Sequence, residues 1–289
     1  MTARLFKFLL KSLAYLPLPI LHGLSGPLYL LLFYILRFRR KVAENNIRNS
    51  FPELDATERM ALLKNHYRRL CDVALETTRS LAMAPTALER HVSFTNLGVI
   101  QQALQQNQTV LLAMAHHCNP VWAVLAAGQK LGTPVDGIYK PPHLAWLDEL
   151  TLKSLSRFNI TPVPAKTCVS TLLQRSASTR AVAIVADQAP RRSDKAYWTR
   201  FMHQDTPFYL GLEKIAQLFK YPIFFMDIKR TGRGHYEASF KPLAEPPYDK
   251  HSHAISESFA RAVEQQILRS PQDWLWTHRR WKRAKSLYD

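Results

Sequence analysis

Thr109–Trp122 reads TVLLAMAHHCNPVW, and this stretch decides the fold class. Val110–Ala115 is a short apolar run with no polar face to leave in water, the pattern of a parallel strand covered on both sides. The run ends at His116, His117, Cys118 and Asn119, followed by Pro120. Asn119 suits a helix cap and Pro120 a first helical turn. The two histidines are therefore expected between a strand end and a helix N-terminus, where open α/β sheets keep their ligand crevices. Either both serve chemistry there, or one satisfies the fold and the other lies on the surface.

Working outward, the same alternation continues. Apolar runs at Val135–Tyr139, Ile160–Pro164, Ala181–Ala186 and Ile223–Ile228 read as further strands. Val121–Leu131, His143–Phe158, Thr167–Ser176 and Pro207–Phe219 have helical length and spacing. Repeated strand–helix alternation predicts an α/β fold, with a mostly parallel central sheet flanked by helices. His235–Lys241 is expected to add an edge strand after a turn at Thr231–Gly234. Lys250–Leu268 reads as a last helix before the aromatic, basic segment DWLWTHRRWKR (273–283). Upstream, Asn45–Leu54 reads as a connector. Asp55 with Glu58 three residues on has capping-box logic and opens a helix to about Leu81. Met60, Leu63, Tyr67, Leu70 and Ala74 form its apolar face. Arg59, Lys64, Arg68 and Arg69 read as its solvated side.

The chain has 289 residues, 47% of them hydrophobic, enough for a full core. Its 39 Lys and Arg against 22 Asp and Glu give a net charge of +17, which calls for an anionic partner. Three scattered cysteines form neither a disulfide framework nor a metal set, so no metal site is expected. Ser12–Leu36 contains no Lys, Arg, Asp or Glu, a length sufficient to cross a bilayer at about 20 residues per span. Pro17, Pro19, Gly23, Gly26 and Pro27 interrupt it, so a helical hairpin or a kinked interfacial segment stands beside a single crossing. Arg37, Arg39, Arg40 and Lys41 follow, suited to anionic headgroups. Residues 1–41 thus read as a membrane anchor with a basic flank, and 42–289 as a separate α/β domain. Trp274, Trp276 and Trp281 among the cations of the tail suggest a membrane-interface belt rather than nucleic-acid binding. The sequence lacks a phosphate loop, a G-x-G-x-x-G turn and a G-x-S-x-G elbow, which disfavours nucleotide hydrolases, dinucleotide enzymes and α/β-hydrolases.

Several stretches together resemble the bacterial lipid A late acyltransferases, the lauroyl/myristoyl transferases of the wider glycerolipid acyltransferase superfamily. They are the apolar leader with RRKVAENNIRNSFPEL, the histidine block, IYKPPHLAWLDEL, VADQAPRR, the FxxxxTPF loop and PQDWLWTHRRWK. The resemblance runs nearly end to end. It implies transfer of a fatty acyl chain from acyl carrier protein, with no other cofactor, to a hydroxyl of an anionic glycolipid. The reaction would take place at the bilayer, on the cytoplasmic face of the bacterial inner membrane.

One departure bears on mechanism. The family signature is a histidine followed, after four residues, by Asp or Glu; from His116 that position is Val121, and from His117 it is Trp122. The resemblance makes His116 the base that takes the acceptor's proton, while the carboxylate that fixes its tautomer is missing. Asp187 of the ADQ stretch is the best substitute acid, unless it merely caps the next turn. The alternatives are an impaired enzyme, a relative that binds acyl carrier protein or lipid without efficient turnover, or an acyltransferase for another lysolipid or aminolipid. If family geometry is intact, Val121→Glu raises turnover. If the site has repacked, a buried Glu there costs stability. Lys140, Arg191, Arg192 and Asn119 are candidate substrate-binding residues, the cations to neutralise phosphate or an oxyanion.

Overall fold

The computed structural model describes residues 2–283; Met1 and residues 284–289, which fall in the expected anchor and catalytic regions, lie outside the described residues. The strands are β1 (Val92–Phe94), β2 (Val110–Met114), β3 (Val135–Tyr139), β4 (Ile160–Pro164), β5 (Ala181–Val185), β6 (Ala196–Phe201), β7 (Gln204–Tyr209), β8 (Ile223–Gly232) and β9 (His235–Ala244). The first helices are α1 (Thr2–Tyr15), α2 (Leu18–Leu30), α3 (Arg40–Ser50), α4 (Ala56–Ser80), α5 (Pro85–Leu88) and α6 (Leu97–Gln105). They are followed by α7 (Pro120–Lys130), α8 (Ala145–Ser156), α9 (Cys168–Gln174), α10 (Gly211–Phe219) and α11 (Ala254–Arg269).

Seven strands form one sheet in the order β1-β9-β8-β2-β5-β3-β4, parallel except where β9 runs antiparallel to β8. The continuous apolar run of β2 is explained by its position. Val110, Leu112 and Met114 enter the core on one face with α6 and α7, while Leu111 and Ala113 enter the other beneath α4, α10 and α11. Asp55 accepts from the Glu58 amide at 2.8 Å, and the Glu58 carboxylate accepts from the Asp55 amide at 2.8 Å, closing the capping box of α4.

Four expectations need correction. Asn45–Leu54 is not a connector, because α3 runs through most of it and buries Asn46, Ile47 and Ser50. The helix expected over Pro207–Phe219 begins only at Gly211, because Gln204–Tyr209 pairs with β6 as a two-stranded hairpin. Pro207 is tolerated there since a strand without an outer neighbour loses no ladder bond. His235–Lys241 is not at the sheet edge, because β1 pairs with its outer side. The tail is not a membrane belt: Trp274 and Trp276 are buried, and Arg280, 1% exposed, lies 4.5 Å from the ring centroid of Phe208. Trp274, Trp276 and Arg280 pack into the core beside α11, while Arg279 and Lys282 remain exposed.

Near the N-terminus, α1 and α2 are separated at Pro17, and α2 runs on through a π-helical turn at Leu31–Ile35. Leu18–Ile35 is the one helical stretch among the described residues long and apolar enough to cross a membrane. Leu21, Ser25, Tyr29 and Phe33 are buried, most of them against α4. Arg39 donates to the Thr277 carbonyl at 3.3 Å and Arg40 stacks 4.4 Å from Phe33, so two of the four flanking cations face protein.

Candidate active site

The register of β2 and β5 assembles the centre. Met114 pairs with Val185, and the Ala186 amide donates to the Met114 carbonyl at 3.0 Å. Two residues further along each strand stand His116 and Asp187, side by side at the carboxyl edge. The His116 Nδ1–H donates to Asp187 Oδ1 at 2.6 Å. The second carboxylate oxygen accepts from the Trp274 indole N–H at 2.8 Å. Asp187 is buried, yet burial, which would raise its pKa, is outweighed by His116 and Trp274, bringing it down to about 2. Burial also pulls the His116 pKa down, but Asp187 reverses this and leaves it above 6.5.

With Nδ1 committed to a carboxylate, Nε2 of neutral His116 carries the free lone pair. That atom lies 3.1 Å from Nε2 of Gln188, whose amide must be the donor. Gln188 is exposed. His117 goes another way: its ring is buried and donates from Nε2 to the Ser270 carbonyl at 3.0 Å, and burial lowers its pKa. One histidine serves the fold and the other faces the cleft.

The tail forms the floor of this centre. The Leu275 amide donates to the His116 carbonyl at 3.1 Å, and the Cys118 amide to the Asp273 carbonyl at 2.9 Å. Cys118 adopts φ +55°, a left-handed conformation that turns the chain from strand into helix. Asn119 then caps α7, its Oδ1 accepting from the Trp122 amide at 3.0 Å. Its Nδ2 donates to Glu76 at 3.1 Å, so its amide is engaged in structure. Glu76 also accepts from Tyr236, and its second oxygen lies 3.1 Å from His22 Nε2. His278 Nε2 accepts from the Ala189 amide at 3.2 Å; burial lowers its pKa to about 4, so it stays neutral as an acceptor must.

A cleft of about 160 Å³ opens in front of His116, with His66, Leu70, Val73, Pro120, Val121 and Trp274 among its walls. Val121 is 38% exposed, so a glutamate there would be half in solvent, and the expected burial cost does not apply. Lys140 follows β3, two strands from β2 at the same sheet edge, and is exposed. Arg191 and Arg192 are exposed beyond Asp187. The Arg191 backbone is tied to Asp194 and Arg283, with the side chain left toward solvent. Sequence reasoning missed Gln188, Glu76 and the bracing role of Trp274. Glu76 carried no signal, because it lies across the helix from the Met60, Leu63, Tyr67, Leu70 and Ala74 face.

A histidine polarised by a buried carboxylate at the carboxyl edge of a parallel sheet, facing a mostly apolar cleft, has the geometry of a general base toward a partly apolar substrate. The profile of the bacterial lipid A biosynthesis acyltransferases matches residues 1–283, and the chain belongs to that family. It is 20% identical over 270 residues to the lipid A biosynthesis palmitoleoyltransferase of Escherichia coli K12, covering 92% of this chain and 86% of that one. It is 21% identical over 272 residues to the lipid A biosynthesis lauroyltransferase of the same organism, covering 92% and 87%.

Proposed function

We propose that this acyltransferase moves a fatty acyl chain from the thioester of acyl carrier protein to a hydroxyl of an anionic lipid A precursor, with His116 as base and Asp187 in place of the missing motif acid. The observation that carries this reading is the 2.6 Å His116–Asp187 bond, which makes Nε2 the basic nitrogen of the ring. His116 Nε2 takes the hydroxyl proton as the acceptor oxygen attacks the thioester carbonyl. Collapse of the tetrahedral intermediate breaks the C–S bond, and His116 returns the proton to the departing thiolate. The carboxylate holds the tautomer and stabilises the imidazolium, so Val121 marks a relocated acid rather than a lost activity.

Membrane attachment through residues 1–41, at the cytoplasmic face of the inner membrane, belongs to the same proposal. Among the described residues, eleven of the nineteen large hydrophobic side chains that are exposed fall between Phe8 and Phe38. So dense an apolar surface suits a bilayer. The surplus of cations suits an acidic carrier protein and an anionic acceptor, with Lys140, Arg191 and Arg192 exposed near the site.

The test is a kinetic assay of the purified protein with acyl carrier protein thioester and an acylated, phosphorylated disaccharide. Product should form, and kcat/KM should rise with pH through an inflection above 6.5, because only neutral His116 is a base and its pKa is raised. In Asp187→Asn the residual rate should inflect at lower pH. No product from folded protein would overturn the reading.

Gln188 covers the lone pair that the acceptor needs. Gln188→Ala should therefore lower the acceptor KM about 2- to 10-fold, the equivalent of one displaced hydrogen bond of about 0.5–1.5 kcal/mol. A rise in KM would mean that the amide holds substrate instead.

A further inference from the structure

Beside the His116 cleft lies a second and larger cavity, about 520 Å³, between α2 and α4. Its walls include Arg68, Arg69 and Arg233, with Ser25 and Tyr29 of α2 opposite. It shares Arg69 and Gln272 with the cleft of His116, so the two spaces adjoin. The arginine side of α4 is thus the wall of a cavity rather than merely a solvated face.

The charges in this cavity are unequally committed. Asp72 is engaged by Arg230 at 2.8 Å and by Arg233 at 2.7 Å. Arg230 also stands 3.9 Å from Glu76. Arg69 meets Asp273 only at 3.8 Å. Arg68 forms no ion pair among the described residues: it donates to Asn65 at 2.9 Å and lies 5.2 Å from the centroid of the Tyr29 ring. Arg68 and most of Arg69's donor capacity therefore remain open to a ligand. Guanidinium pairs match the oxygens of a phosphate.

We propose that this cavity is a phosphate subsite, in which Arg68 and Arg69 hold a phosphate of the glycolipid acceptor while its hydroxyl reaches His116. The inference rests on the acyl-transfer reading for the position of the hydroxyl, and on the arginine geometry alone for the phosphate. The location suits a lipid headgroup, since the opposite wall belongs to the apolar Leu18–Ile35 stretch, whose Leu24 and Leu30 are exposed.

Binding, which needs no turnover, tests the subsite separately from the reaction. An acylated disaccharide bearing a phosphate and its dephosphorylated counterpart, each in neutral detergent micelles, are titrated against the full chain. The wild type should prefer the phosphorylated lipid. In Arg68→Gln/Arg69→Gln that preference should fall roughly 10- to 100-fold, as for loss of charge-assisted hydrogen bonds. Arg68→Lys should keep part of it, and melting curves should show both variants folded. An unchanged preference in the double variant would overturn the subsite. So would inorganic phosphate binding there without competing with the lipid, which would mark a free-phosphate site. Loss of acyl carrier protein binding with lipid preference intact would reassign the arginines to a protein surface and equally overturn it. Absence of product from wild-type protein that shows the phosphate preference would leave the subsite standing and remove only the acyl-transfer reading.

Discussion

His116→Ala and Asp187→Asn should each lower kcat by about 10⁴-fold, the scale set by losing the orienting carboxylate in other base–carboxylate pairs. Two alterations of unlike chemistry are expected to be about equally damaging because they disable one unit. Without Asp187 the imidazole loses the partner of its Nδ1–H, and the tautomer with Nε2 free is no longer held. Double replacement should cost little more than either single one. Val121→Glu should change kcat by less than about tenfold, because the His116 nitrogen that a carboxylate would orient is already taken. A gain of orders of magnitude in the glutamate variant would instead restore the motif acid to its usual place. Steady-state kinetics on variants matched by thermal melting decide among these outcomes.

Glu76→Ala should be the most destabilising single change near the site, costing about 3–5 kcal/mol. Glu76 has no solvent exposure and serves four elements: His22 of α2, Asn119 at the cap of α7, Tyr236 of β9 and Arg230 of β8. Although burial raises its pKa, the partners outweigh this and hold it below 4.5, so it is charged at neutral pH. Removal leaves the buried Arg230 with Asp72 alone and strips the Asn119 amide, the Tyr236 hydroxyl and the His22 ring of their shared acceptor, so the melting temperature should fall by roughly 10 °C. Glu76→Gln keeps the shape and some hydrogen bonds and should cost less. The stabilisation from Glu76 is present above its unfolded pKa near 4.5 and is lost as pH falls through its lower folded value. Wild type and Glu76→Gln should therefore converge in stability under acid. Chemical denaturation at two pH values measures both effects.

The sheet was legible because buried parallel strands announce themselves: Val110–Ala115 and Ala181–Ala186 are apolar throughout, and no alternative packing satisfies them. The partnership of His116 with Asp187 was legible only as a candidate, since it depends on β2 and β5 being neighbours, and strand order is not written locally in the chain. The β6–β7 hairpin was hidden because its turn, Met202–His203, takes left-handed φ angles of 50° and 63° without glycine or asparagine. The tail misled for a different reason. Tryptophan and arginine side by side suit both a headgroup layer and a core in which Arg280 lies over Phe208, and composition alone cannot separate the two. Glu76 shows the same limit, because an acid across a long helix from its apolar stripe looks solvated until its partners arrive from three distant segments.

The order in which the polypeptide leaves the ribosome gives the tail's position a further meaning. The apolar helices α1 and α2 precede the sheet in the chain and are made before it. His116 and Asp187 follow, but the indole that braces the carboxylate and the backbone that pairs with His116 belong to residues 274 and 275, made well after both. A chain stalled or clipped before Trp274 would possess the whole sheet and both members of the pair, yet lack the floor beneath them. Synthesis past Leu275 thereby doubles as a checkpoint, since only a chain that carries this segment presents His116 and Asp187 fully braced.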